Sequence, residues 1–128
     1  MKLLIDTHLL LWTASTSRLV SDEARALIDA PGSELFFSVA TIWETAIKFG
    51  LRKPHFGFEP RLFRENLLRA GFRELEISSE HAITAGRLPG LHRDPFDRIL
   101  IAQAQVEGAT LLTSDTAVAR YPGPIRLV

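Results

Sequence analysis

The chain contains no cysteine in its 128 residues. That excludes a disulfide scaffold and any thiolate metal site, so a bound metal would need oxygen or nitrogen ligands. It also lacks net charge, because fifteen basic and fifteen acidic residues cancel. A surface that coats nucleic acid by bulk positive charge is therefore excluded. No apolar run approaches membrane-spanning length, and residues 1–6 are too short an apolar stretch for a secretory leader. The expectation is a soluble, cytoplasmic protein. Repeats, low-complexity runs and linkers are missing as well, which predicts one domain over residues 1–128. What is present is 46% hydrophobic and 23% charged, a globular balance long enough for a sizeable core.

The charge is unevenly spread. Between residues 48 and 98 there are ten Lys/Arg against seven Asp/Glu, and twelve of the fifteen basic residues are Arg. Arginine grips phosphate through two parallel hydrogen bonds, so this middle section suits a phosphate-bearing partner.

Strands and helices alternate along the chain. Residues 2–5 form a short continuous apolar run, the pattern of a strand buried on both faces. It ends at Asp6-Thr7-His8, and a helix follows through Leu9-Leu10-Leu11-Trp12. A helix over residues 17–30 is capped by Ser21 and stopped by Pro31-Gly32. A second strand covers residues 34–38. Ser38 caps a third helix, residues 39–49, whose Val39, Ile42, Trp43, Ala46 and Ile47 make a core-facing stripe. Both Trp12 and Trp43 are expected in the core. Glu44 lies beside the stripe, within i,i+4 reach of Lys48. Residues 51–60 form a loop in which Arg52, Lys53 and His55 alternate with Phe56 and Phe58. Such a loop either grips nucleic acid or is pinned to the core by its aromatics. A helix over 61–70, an edge strand over 72–77 and a short helix over 80–87 come next. Strands over 110–113 and 125–128 flank a short helix over 116–120. This pattern means an α/β fold around a short parallel sheet with right-handed crossovers.

One stretch concentrates chemistry: His92-Arg93-Asp94-Pro95-Phe96-Asp97-Arg98. Asp94 is a good N-cap and Pro95 suits the first helical position. Asp97 falls in the first turn, near the positive helix end. Capping would explain both carboxylates if the helix were amphipathic. It is instead apolar around most of its circumference through Ala104, as a buried helix would be. Asp6 and Asp115 stand just past the ends of two buried strands, where open α/β sheets bind ligands. The helix after Asp94 starts on that same edge. Asp6, Asp97 and Asp115 can therefore converge, with Glu44 reaching over the cleft. Four uncompensated carboxylates would repel one another. A divalent cation resolves this, and all-oxygen ligation points to Mg2+ or Mn2+ and to metal-assisted phosphodiester hydrolysis.

The sequence resembles the PIN-domain family, and within it the VapC toxin ribonucleases of bacterial toxin–antitoxin pairs. The matching motifs are Leu4-Ile5-Asp6-Thr7-His8 with Leu10-Leu11-Trp12, Ser38 with Ile42-Trp43-Glu44 and Ala46-Ile47-Lys48, His92-Arg93-Asp94-Pro95-Phe96-Asp97-Arg98 through Ile101-Ala102-Gln103-Ala104, and Thr113-Ser114-Asp115. They span nearly the whole chain in the family's order. Arg52-Lys53-Pro54-His55-Phe56 departs from the shorter Gly-Lys turn of the family. The resemblance implies a three-layer PIN-like fold with a mostly parallel sheet of four to five strands. It implies a Mg2+-dependent endoribonuclease, with Mn2+ as substitute, in which Asp6, Glu44, Asp97 and Asp115 are the acidic quartet. Asp6 and Asp97 would ligate directly, Glu44 and Asp115 would hold a second ion or orient water, and Thr113 would position a carboxylate or the water. Arg98 is assigned to charge balance or phosphate contact. The resemblance further implies an RNA substrate, a VapB-like antitoxin whose segment blocks the cleft, a homodimer, and a heterotetramer or larger assembly with the antitoxin. Trp12, Trp43, Phe56 and Phe58 are candidates to line the antitoxin groove.

Three rival classes share part of this pattern. A phosphoacceptor receiver would need a lysine late in the chain, but the last is Lys53. A haloacid-dehalogenase-type phosphatase would need an Asp where His8 stands. A PIN domain that has lost catalysis and serves as an RNA- or protein-binding module is the remaining alternative.

Overall fold

The computed structural model describes residues 1–90 and 94–128. His92 and Arg93, which open the acidic stretch, lie outside the described residues. The framework is a five-stranded sheet in the order β3-β2-β1-β4-β5. Its strands are β1 (Lys2–Ile5), β2 (Glu34–Ser38), β3 (Arg73–Leu75), β4 (Thr110–Thr113) and β5 (Ile125–Leu127), and every neighbouring pair is parallel.

The apolar run of β1 places it at the centre. Leu3, Leu4 and Ile5 are all fully buried, and their alternation feeds two cores. Leu3 and Ile5 face one layer with Leu9, Leu10, Phe37, Phe63 and Leu112. Leu4 faces the other with Leu100, Ile101, Ala104, Leu111 and Tyr121. The register sets Leu4 beside Leu111 and Ile5 beside Leu112, so paired residues share a face. The result is three layers.

The helices are α1 (Thr7–Ser15), α2 (Asp22–Asp29), α3 (Val39–Gly50), α4 (Pro60–Arg69), α5 (Ser79–Gly86), α6 (Pro95–Glu107) and α7 (Thr116–Ala119). The helix expected over residues 17–30 is in fact two pieces, a 3-10 turn (Ser17–Leu19) and α2, which restarts at its Ser21 cap. Asp94 caps α6 as its sequence requires, its Oδ1 accepting from the Phe96 N–H at 2.9 Å, with Pro95 at the first position. Five consecutive α6 residues, from Leu100 to Ala104, are buried. That is what an all-round apolar helix predicts. Gly108 ends it in the left-handed conformation, φ 66°, which a side chain would strain.

Two expectations about α3 are overturned. Its buried residues are Ala40, Thr41, Glu44 and Thr45, not the apolar stripe. Trp43 is 59% exposed, and its ring meets Phe96 edge-on at 5.2 Å. The polar residues Thr41, Glu44, Thr45 and Lys48 form their own helical stripe, spaced i, i+3, i+4, i+7, and tertiary placement turns that stripe inward. Of the apolar stripe, Ile42 packs half-buried against the first core, while Trp43 borders an open groove of about 370 Å3 lined also by Ile77, Ala85, Phe96 and Ile99. Trp12 is half-buried against the first core, as are Phe58 and Leu35.

Arg98 also holds the structure together. Its guanidinium donates to the carbonyls of Ala85 (2.9 Å), Leu88 (2.9 Å) and Pro89 (2.8 Å), and to the Tyr121 hydroxyl (3.2 Å). It ties the end of α5 to the start of α6 and to the segment after α7. The planar fork suits this many acceptors, and a point ammonium would not. Arg98→Ala should lower stability by about 2–4 kcal/mol, and Arg98→Lys should recover less than half of the loss. Denaturant unfolding of the three proteins measures this.

Candidate active site

The order of the strands locates the site. From β1 the chain moves outward through β2 to β3, then returns to β4 on the other side of β1 and goes on to β5. The direction of winding reverses between β1 and β4, and ligands of open α/β sheets bind beyond the carboxyl ends of the strands at such a reversal. Asp6 immediately follows β1, and Ser114-Asp115 follows β4.

Asp6 is 5% exposed. Its Oδ2 accepts from the Thr113 hydroxyl at 2.8 Å. The same Thr113 oxygen accepts from the Asp115 N–H at 3.0 Å. One fully buried hydroxyl thus joins the ends of the two central strands and uses both its donor and its acceptor capacity. Burial pushes the Asp6 carboxyl above its ordinary pKa, and the negative charge of Glu44 adds to that rise. The Thr113 hydrogen bond, the His8 charge and the Thr7 N–H oppose it. Desolvation wins, so the acid is held in a form that resists ionisation unless a cation compensates.

Glu44, on the second turn of α3, is 3% exposed. Lys48 donates to its Oε2 at 2.5 Å. The i,i+4 pair within reach in the sequence does form, but its acidic end is buried. Nearby, the buried hydroxyls of Thr7 and Thr41 pair at 2.8 Å and join α1 to α3. The buried Thr45 hydroxyl has no hydrogen-bond partner among the described residues.

The other two acids sit closer to solvent. Asp115 is exposed and caps α7, its Oδ1 accepting from Ala117 N–H at 2.8 Å. Asp97 is half-buried in the first turn of α6. Because α6 leads through Gly108 into β4, its N-terminus lies at the carboxyl edge of the sheet, the edge of Asp6 and Asp115. The structure brings Asp6, Thr113 and the Asp115 backbone into contact and couples Asp6 electrostatically to Glu44. It does not draw the acids into a closed cage: among the described residues no three acidic or histidine groups lie close enough together to hold a metal ion. The donor chemistry nonetheless fits Mg2+. Carboxylate and hydroxyl oxygens are hard ligands, and Mg2+ takes few protein ligands and keeps several waters.

Sequence reasoning passed over Thr41 and Thr45. The signal was available in the polar stripe of α3. The loop after α3 is resolved in favour of anchoring for its aromatics, because Phe56 is buried and Phe58 stacks on Phe63 at 5.6 Å. Arg52, Lys53 and His55 are exposed.

Fold and site together define a parallel three-layer α/β domain with buried carboxylates at its switch point. The PIN domain model matches residues 3–124, and the chain belongs to the PIN domain family. Comparison with curated proteins found no match. Among solved structures, the chain is similar to VapBC2 from Rickettsia felis bound to a DNA fragment from their promoter. That similarity has a TM-score of 0.74 and 16% identity, and covers 99% of this chain and 98% of that one. It is also similar to DNA-bound VapBC from Salmonella typhimurium (TM-score 0.67, 17% identity, 98% and 97% covered). A toxin–antitoxin complex from Klebsiella pneumoniae aligns with TM-score 0.62 and 21% identity over 96% and 94% of the two chains. At these identities the likeness is one of fold.

Proposed function

We propose that this chain is a VapC-type toxin, a Mg2+-dependent endoribonuclease that cuts RNA phosphodiesters and is neutralised by a cognate VapB-like antitoxin. The observation that carries this reading is the pair of buried carboxylates, Asp6 and Glu44, at the switch point of a PIN fold. Burying two acids that repel each other is costly unless the site exists to receive a cation. The structural neighbours support the toxin assignment, since each belongs to a toxin–antitoxin complex.

The four acids would divide the work. Asp6 and Asp97 would hold Mg2+ directly, with Mn2+ as substitute, while Glu44 and Asp115 would hold a second ion or orient water. When bound, the metal supplies a Lewis acid and an activated water. Thr113 fixes the rotamer of Asp6 through its 2.8 Å hydrogen bond and ties it to the strand end that carries Asp115. The exposed Arg52, Lys53 and His55 would meet the RNA backbone, a contact carried by charge and therefore weakened by salt. For partners, the apolar grooves beside Trp43 and between α1, α2 and α4 are available to an antitoxin segment and to a second copy of the chain.

The test is incubation of the purified chain with total RNA in Mg2+ or in EDTA, with cut ends mapped. Discrete cuts in Mg2+ that vanish in EDTA and on antitoxin addition are expected. RNA bound but uncut in Mg2+ would instead identify a binding module.

A further inference from the structure

We infer that Lys48 is a built-in counter-ion of the acidic site, which holds Glu44 in the metal-free protein and releases it when a divalent cation binds. The inference rests on the reading of this site as a Mg2+ centre.

An i,i+4 pair on a helix surface is weak, because water screens both ends. This one is asymmetric. The Glu44 side chain is 4% exposed while that of Lys48 is 29% exposed, and the two meet at 2.5 Å. The acid is fixed in the interior and the amine reaches it from the solvent side. Asp6 and Glu44 would otherwise bring two desolvated negative charges into one crevice, where His8 opposes the charge of Asp6. Lys48 supplies the positive charge that Glu44 needs.

The same ammonium has a second neighbour. The Lys48 ammonium lies 4.9 Å from the centroid of the Phe56 ring, within cation–π range. Phe56 is itself held, 4% exposed and edge-on to His8 at 5.7 Å. The loop that delivers it is fastened to α3 by the Lys53 N–H on the Lys48 carbonyl, 2.9 Å. It also accepts left-handed backbone at two non-glycine residues, Arg52 (φ 53°) and His55 (φ 70°). Strain of that kind persists only where the surroundings impose it. Lys48 can therefore leave Glu44 without leaving Phe56. An ammonium on Oε2 and a divalent ion at the same carboxylate repel each other, so binding of one opposes binding of the other.

The test compares wild type, Lys48→Met, Lys48→Arg and the double variant Lys48→Met/Glu44→Gln, titrated with Mg2+ alone and followed by thermal unfolding and calorimetry, with no RNA present. Lys48→Met should melt lower than wild type in EDTA yet bind Mg2+ at least about fivefold more tightly, the lower end of ordinary site–site coupling. Lys48→Arg should stay near wild type. The double variant should regain the EDTA melting temperature, which separates loss of charge balance from a folding defect. A mere structural pair would predict weaker Mg2+ binding in Lys48→Met, or none. Unchanged or weaker affinity in that variant, beside a wild type that binds Mg2+, overturns the counter-ion role alone. A wild type with no Mg2+ binding overturns both this role and the metal-centre reading.

Discussion

Asp97→Asn should leave the protein folded and lower Mg2+-dependent RNA cleavage at least about a hundredfold, the scale of losing one charged group at a reacting centre. The stability cost should be small. Asp97 sits in the first turn of α6, where a carboxylate gains about 0.3–1 kcal/mol from the helix dipole. Asparagine keeps the shape and gives up that charge. The helix start is secured independently by the Asp94 cap, Pro95 and the grip of Arg98 on three carbonyls. Cleavage should therefore collapse while the unfolding midpoint barely moves. Induction of the variant in cells should no longer arrest growth. Retention of Mg2+-dependent cleavage by a folded Asp97→Asn protein would refute the assignment of Asp97 as a ligand.

Asp6→Asn should have the opposite sign on stability and the same sign on activity. The Asp6 carboxyl is raised above its ordinary pKa, chiefly by burial. A group whose folded pKa is raised favours the folded state while protonated. That contribution is full below the ordinary carboxylate pKa and is lost as pH climbs through the raised value. At neutral pH and without metal, the buried Asp6 carboxyl is thus a liability. The substituted amide would keep an oxygen for the Thr113 hydroxyl and remove the buried charge. The metal-free variant should be more stable than wild type by about 1–2 kcal/mol at pH 7–8, a common gain at a functional site. The two proteins should converge toward acid pH. Urea unfolding in EDTA across pH measures both effects, and a variant less stable than wild type at pH 8 would contradict the account. In Mg2+ the order should narrow or reverse, because only wild type gains from the cation.

Much of this fold is legible from local chemistry. The unbroken Leu3-Leu4-Ile5 run predicts a strand buried on both faces, and β1 is the central strand. Asp94-Pro95 and Gly108 bound α6 because capping and left-handed backbone are decided by a few neighbouring atoms. The positions of Asp6 and Asp115 at strand ends follow from the same reasoning. What stays hidden depends on contacts distant in sequence. The orientation of α3 is misread because its apolar stripe is as periodic as its polar one, and only the neighbouring elements decide which faces inward. The structural grip of Arg98 is hidden for a related reason. Its acceptors are backbone carbonyls at 85, 88 and 89 and a hydroxyl at 121, and backbone carbonyls carry no sequence signature. Whether Lys48 meets Glu44 at the surface or over a buried site is likewise a question of packing.

The hydrogen bond from Thr113 to Asp6 joins residues 107 positions apart. During synthesis, β1 emerges first and gains β2 early, yet its other edge stays open until β4 is made. A nascent or truncated chain ending before residue 110 would expose that edge, a template for wrong pairing. It would also lack the hydroxyl that orients Asp6. Were the chain to cut RNA as proposed, this order of synthesis would be protective, because the crevice cannot assemble before β4 has been made.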